Sequence, residues 1–207
     1  LRDTIAHNAK LDDSDPVQKA ELIKRIKLGN FTLLTSQGIA FLHGGQERGR
    51  TKPNFTDSKN ETIGKFVRNS YDSSDNINQI VWTLDSDYKT VLDYTSSMIA
   101  LRRTFDVFRI GDMAQVNAAA ALLPCPEDNR LTLGYVLNWT DGTWLVLANA
   151  ETKAMTFTVP VSVDGATVFA DANGAQVSGI ASPAGVTLAG TSVTLAPLSA
   201  AVIRVAK

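Results

Sequence analysis

Apolar residues recur along this chain in two different rhythms. In the first half Val17, Ala20, Ile23 and Ile26 come at three-residue steps with lysine, arginine and glutamate between them, which predicts an amphipathic helix. Asp12, Asp13, Ser14, Asp15 and Pro16 ahead of it offer capping side chains and a proline for the first helical position. Gly29-Asn30 interrupts the spacing and predicts a kink or short break before Phe31. Residues 39–42, Ile-Ala-Phe-Leu, are apolar without alternation, the pattern of a strand buried on both faces of a parallel sheet. The clearest helix is predicted over residues 88–105. There Val91, Tyr94, Met98, Leu101 and Phe105 alternate three- and four-residue steps behind a capping Asp87, and this stripe, Met98 included, is core.

After Phe108 helical spacing gives way to alternation, and only 12 of the last 100 residues are charged, so the chain changes architecture there. Leu131, Leu133, Tyr135 and Leu137 point one way, Asp141-Gly142 turns the chain, and Trp144, Val146 and Ala148 return as the second arm of a hairpin. Further strands are predicted at residues 155–159, 167–170, 186–188, 192–195 and 200–205, an arrangement that indicates an antiparallel β-sandwich. The alanine run 118–121 fits either the start of a strand or a short helix.

A chain of 207 residues can bury roughly 70% of its unfolded surface, enough for one large or two small domains. A formal net charge of −1 offers no global field for nucleic acid or an anionic membrane, so neither is expected as a partner. The single cysteine, Cys125, cannot form an internal disulfide, and no zinc-type cysteine and histidine spacing occurs. The sequence shows neither a charged-then-apolar leader nor an apolar run approaching the roughly 18 residues needed to cross a bilayer, so it reads as soluble.

Candidate chemistry clusters around the apolar burst at 39–42. Gly44-Gly45 allows a sharp turn, and Gln46, Glu47, Arg48 and Arg50 follow at the end of the expected strand where α/β proteins handle ligands. Residues 53–65 are polar and without periodicity, long for a plain connection and therefore expected to be functional or mobile. The next loop, residues 69–78, is dense in Asn, Ser and Asp with one aromatic, Tyr71. Planar amides and carboxylates can bridge adjacent sugar hydroxyls while an aromatic face covers the ring, but the same composition also suits a solvated loop held by its own turns.

The run SQGIAFLHGGQERGRTK from Ser36, followed by NSYDSSDNINQIVW from Asn69, resembles the last barrel strand and following loop of the α-amylase superfamily of glycoside hydrolases. The likeness is greatest to its type I pullulanase branch of α-1,6-glucan debranching enzymes. Two motifs of this length, in order, are far more specific than one. Residues 1–108 then correspond to the carboxyl-terminal part of a (β/α)8 TIM barrel, with α/β architecture, and residues 109–207 to a carboxyl-terminal antiparallel β-sandwich. The resemblance implies α-glucan substrates (pullulan, starch, glycogen), with Asp75 beside the glucose units on the non-reducing side of the scissile bond and Asn69, Tyr71 and Asp72 as further candidates. Three departures bear on loop geometry: Arg48-Gly49 stands where two large apolar residues are common, Ser74 where proline is, and Val81 where aspartate is.

Cleavage with retention needs a nucleophilic carboxylate and a protonated acid about 5–5.5 Å apart. In the resembled family these, and a supporting aspartate, lie on segments upstream of what matches here, so no catalytic residue is assigned within the 207 residues. The remainder of the barrel is expected on the same or a complementary chain. Glu47, with Arg48 and Arg50 beside it, is expected to be structural, because ion pairing disfavours a proton donor. His7 and His43 have no nucleophile elbow or orienting partner in the sequence, and His43 is expected to be a satisfied structural residue. Asp12, Asp13 and Asp15 lack the glycine and terminal glutamate of a calcium loop. No cofactor is evident, although the resemblance admits calcium in the complete enzyme. It also implies a bacterial extracellular or cell-surface setting, with the cytoplasm as the alternative. A competing reading is a non-catalytic glucan-binding β-sandwich module with Trp82, Trp139 and Trp144 as stacking platforms. A third makes the sandwich purely structural.

Overall fold

The computed structural model describes residues 1–54 and 62–207. In chain order the elements are α1 (Arg2–Ala9), α2 (Pro16–Thr35), β1 (Thr62–Ile63), β2 (Phe66–Val67), α3 (Asp75–Asn78), α4 (Ser86–Thr104), α5 (Met113–Ala119), β3 (Ala120–Leu122), β4 (Thr132–Trp139), β5 (Gly142–Asn149), β6 (Met155–Thr158), β7 (Thr167–Ala170), β8 (Val186–Ala189), β9 (Ser192–Leu195) and β10 (Ser199–Val205). They form two compact units, residues 1–29 with 41–92 and residues 30–40 with 93–207.

In the first unit α2 starts as its sequence dictates. Pro16 opens the helix, and Asp15 Oδ1 accepts from the backbone N–H groups of Val17 and Gln18 at 2.9 and 3.0 Å, two donors the helix itself cannot satisfy. The buried face is not the expected stripe. Val17 and Ala20 are exposed, while Leu22, Ile23 and Ile26 are buried with Ala6 of α1 and with Tyr88 and Val91 of α4. Strict three-residue steps drift around a helix of 3.6 residues per turn, so Val17 and Ile26 lie about half a turn apart. Asp85, not Asp87, caps α4: its Oδ1 accepts from the Asp87 N–H at 2.8 Å. Lys19 reaches both carboxylates, at 2.7 and 2.9 Å, and holds the Asp85 carboxyl below the usual aspartate range. Of the long polar connection at 53–65, residues 55–61 lie outside the described residues; β1 and β2 pair as a minimal antiparallel hairpin at its end.

The strand expected at residues 39–42 does not form. Ile39 is 97% exposed and Phe41 82%, and no ladder among the described residues includes them. A parallel strand is held by neighbours that are remote in sequence, and none of the described strands supplies them. Gly29-Asn30 likewise makes no break, since α2 runs unbroken to Thr35.

In the second unit the buried Asn30 amide donates to Thr95 Oγ1 at 2.9 Å, so the polar residue that seemed to interrupt α2 pairs within α4 instead. Arg102, also buried, donates to the carbonyls of Leu34, Ser36 and Gly38 at 2.9, 2.7 and 2.6 Å. The Leu34 carbonyl is one that the end of α2 leaves without a helical partner, those of Ser36 and Gly38 belong to the chain that follows it, and a cation there also opposes the negative end of the helix dipole. The strands build one five-stranded antiparallel sheet, β3-β4-β5-β10-β7, and one three-stranded antiparallel sheet, β6-β9-β8. Val136, Leu145, Leu147 and Ile203 of the larger sheet share an apolar core with Met155, Phe157, Val193 and Leu195 of the smaller.

The opposite face of the larger sheet is covered as well. Trp144 packs there against Phe105, Phe108 and Phe169 with ring centroids 4.8–5.6 Å apart. With both faces covered, β5 is buried almost end to end, and alternation fades where packing is deepest. The alanine run resolves both ways: α5 ends at Ala119 and β3 begins at Ala120.

Candidate functional site

The turn after Leu42 is built from two glycines in left-handed backbone, Gly45 at φ 90° and Gly49 at φ 64°, flanking a short helical turn of Gln46, Glu47 and Arg48. The Glu47 carboxylate closes that turn by accepting from the Gly45 N–H at 3.1 Å, and the Arg50 N–H returns to the Gly45 carbonyl at 2.9 Å. Glu47 is thus structural, through a backbone donor. Asp3 of α1 fixes the way out of the turn, its two oxygens accepting from Thr51 Oγ1 at 2.6 Å and the Lys52 N–H at 2.7 Å.

From this base two cations reach the loop at 69–78. Lys52 Nζ donates to Ser70 Oγ, and the Arg50 guanidinium spans the Gly44 carbonyl, at 3.0 Å, and the Asn78 carbonyl. Inside the loop the Asn78 amide donates to the carbonyls of Ser70 and Ser73 at 2.7 and 2.9 Å, and Ile77 is buried beneath. The structure therefore joins the two stretches that carry the resemblance, and it does so through side-chain to backbone bonds.

The four expected sugar contacts all lie on this pinned loop. Tyr71 is 94% exposed. Asp72 and Asp75 are exposed, Asp75 as the first residue of α3. Asn69 is exposed too, but its Oδ1 accepts from the Tyr71 N–H at 3.3 Å, so part of its hydrogen-bonding capacity shapes the loop itself. Sequence reasoning passed over Arg50, Lys52 and Asn78 as supports. The available signal was two cations two residues apart, followed by a loop rich in acceptors.

His43 is exposed and lines a cavity of about 220 Å³ with Asp3, Gln46, Arg50, Lys52 and Arg68. Partial desolvation, then the charges of Lys52, Arg50 and the chain amino group, lower its pKa from the ordinary histidine value. Desolvation and Arg50 also lower that of Lys52, against an opposing pull from Asp3.

Residues 120–206 match the family described as SpuA C-terminal. Over its whole length the chain is 32% identical to pullulanase A of Streptococcus pneumoniae serotype 2, of which it spans 19%. In structure it matches the product complex of the multi-modular glycogen-degrading pneumococcal virulence factor SpuA, with a TM-score of 0.88 at 30% identity, across 100% of this chain and 25% of that one. A Group B Streptococcus pullulanase solved with maltotetraose gives 0.86 at 30% identity, across 100% of this chain and 31% of that one. The chain is pullulanase-like and corresponds to the carboxyl-terminal portion of those proteins.

In this pullulanase-like chain the described residues include no group of three or more His, Cys, Asp or Glu side chains arranged to hold a metal ion. No helix among them is long and apolar enough to cross a membrane. The three tryptophans part company. Trp144 is fully buried and cannot be a stacking platform, Trp139 is partly buried with its Nε1–H donating to Asp106 at 2.8 Å, and Trp82 is 75% exposed.

Proposed function

We propose that the chain serves as the carboxyl-terminal portion of a pullulanase-like glycoside hydrolase that cleaves α-1,6-glucosidic linkages in pullulan, starch or glycogen with retention of configuration. Residues 1–108 contribute the last part of the catalytic barrel and residues 109–207 its terminal β-sandwich. The nucleophile and acid lie on preceding segments, carried by the same or a complementary chain. The observation that carries this reading is the loop at 69–78, where exposed Tyr71, Asp72 and Asp75 stand on a frame pinned by Arg50, Lys52 and Asn78. An aromatic ring and carboxylates carried on a pinned backbone suit a pyranose and its adjacent hydroxyls, because a backbone ordered beforehand lowers the entropic cost of binding. The full-length likeness to pullulanase A and to a pullulanase solved with maltotetraose supports α-glucan as the ligand. Likeness to a glycogen-degrading virulence factor favours a site of action outside the bacterial cell or on its surface.

The test is reducing-sugar release from pullulan. The 207-residue chain alone is expected to release none, while the same chain joined to, or mixed with, the upstream barrel segments of a pullulanase is active. In the joined protein Asp75→Ala should raise KM for pullulan by about tenfold with a smaller change in kcat. Hydrolysis by the short chain, or an inactive joined protein that is demonstrably folded, overturns the reading.

A further inference from the structure

Sequence composition offers three tryptophans as sugar-stacking candidates, and Trp82 is the most exposed of them. Trp82 follows the pinned loop by four residues and keeps 75% of its surface in solvent. It is not left to swing. The guanidinium of Arg48 donates to the Trp82 carbonyl and lies 5.2 Å from the centre of its ring, so one side chain fixes both the backbone and the indole of the same residue. A cation–π contact of this kind draws on the negative ring face, so the permanently charged guanidinium lies over one face of the indole, while Trp82 still keeps most of its surface free. A charged neighbour against the indole suits a hydrated sugar better than a dry protein interface.

We propose that Trp82, oriented by Arg48, is an α-glucan stacking platform adjoining the loop at 69–78, a binding surface additional to Asn69, Tyr71, Asp72 and Asp75. Its ligand is a pyranose ring of an α-linked glucose chain: the apolar C–H face of the sugar lies on the indole, and the Arg48 guanidinium, with five donors and no acceptor, faces ring hydroxyls. Tyr71 and Trp82 are the exposed aromatics on either side of α3, so a chain of several glucose units has two rings to meet on one stretch of backbone. The inference rests on the α-glucan reading above, but it concerns binding and makes no demand on hydrolysis.

The experiment is a titration of the 207-residue chain with maltotetraose, followed by tryptophan emission and by calorimetry. Saturable binding with a change in emission is expected. Trp82→Ala should weaken binding by about tenfold or more, as removal of a central aromatic contact does. Trp82→Phe should recover part of it, and Trp139→Ala should leave it unchanged. Arg48→Met, which keeps the platform but frees it, should weaken binding by less than Trp82→Ala. Because Trp82 is exposed, its removal should leave circular dichroism and the unfolding midpoint in place, separating a lost site from a lost fold. Failure of the parent chain to bind, or equal binding by a folded Trp82→Ala variant, overturns the proposal. Maltotetraose binding through Trp82 together with an inactive joined enzyme would sink the hydrolytic reading and leave the platform standing.

Discussion

Gly49 shows how one atom constrains the turn on which the candidate site is built. Its backbone is left-handed at φ 64°, and a Cβ placed there would come within 2.2 Å of the Tyr88 ring. That ring cannot retreat freely, since the Arg2 guanidinium sits 4.4 Å from its centre and its hydroxyl donates to Asp13 at 2.7 Å. Burial pushes the Tyr88 hydroxyl's pKa far up, so it remains a donor throughout the physiological range. Gly49→Ala therefore meets backbone strain and overpacking together, and should cost about 2–3 kcal/mol in urea unfolding. Tyr88→Ala in the same background should relieve the packing part alone, giving a coupling of about 1 kcal/mol or more in the double-mutant cycle. Additive effects would show that the ring is not what excludes a side chain at this position. The departure from two large apolar residues at Arg48-Gly49 now has a physical counterpart, Arg48 turning to Trp82 while Gly49 makes room for Tyr88.

At the scale of elements, the reading from sequence succeeded where the determinants are local. The strands from Met155 to Val205 were placed almost to the residue, because the alternation that marks each of them is written within a few neighbouring positions. It failed where they are distant. Residues 39–42 have the composition of a buried strand, but partners must come from elsewhere; Asn30 reads as a helix breaker until Thr95, far along the chain, supplies its hydrogen bond. The candidate site divides in the same way. Its loop was legible from composition, whereas its supports were not, since Lys52 and Arg50 act across 18 and 28 positions through backbone and hydroxyl acceptors that leave no periodic trace. Asn78 tests whether those supports matter. Its amide holds two carbonyls of the Tyr71 turn, so Asn78→Ala should remove about 1–2 kcal/mol from local stability. Amide exchange at Ser73, Ile77 and Gln79 should accelerate by about tenfold, with α4 unchanged beyond Val91. Uniform acceleration in both places would instead mean that the loop is not an independently pinned unit.

For the molecule as a whole, the apolar residues without cover carry the information. Isolated exposed leucines are ordinary on protein surfaces, but Ile39 and Phe41 stand within three positions of each other, 97% and 82% exposed, in a segment with no ladder partner among the described residues. Under the proposed reading this segment is a barrel stave whose neighbours belong to the preceding part of the hydrolase, and its exposure is a property of the 207-residue chain alone. The chain by itself should then bind an apolar-surface dye. Ile39→Lys with Phe41→Lys should cut the dye signal to about half or less, with little change in the unfolding midpoint, because neither side chain is packed. Adding the complementary barrel segments should abolish the parent's dye signal and restore pullulan hydrolysis in parallel, while the double lysine variant should fail at both, since charges placed on a stave that must be buried oppose assembly. Assembly and hydrolysis by that variant as efficient as the parent's would show that these residues are surface in the complete enzyme too, and would remove the barrel-stave assignment of residues 39–42.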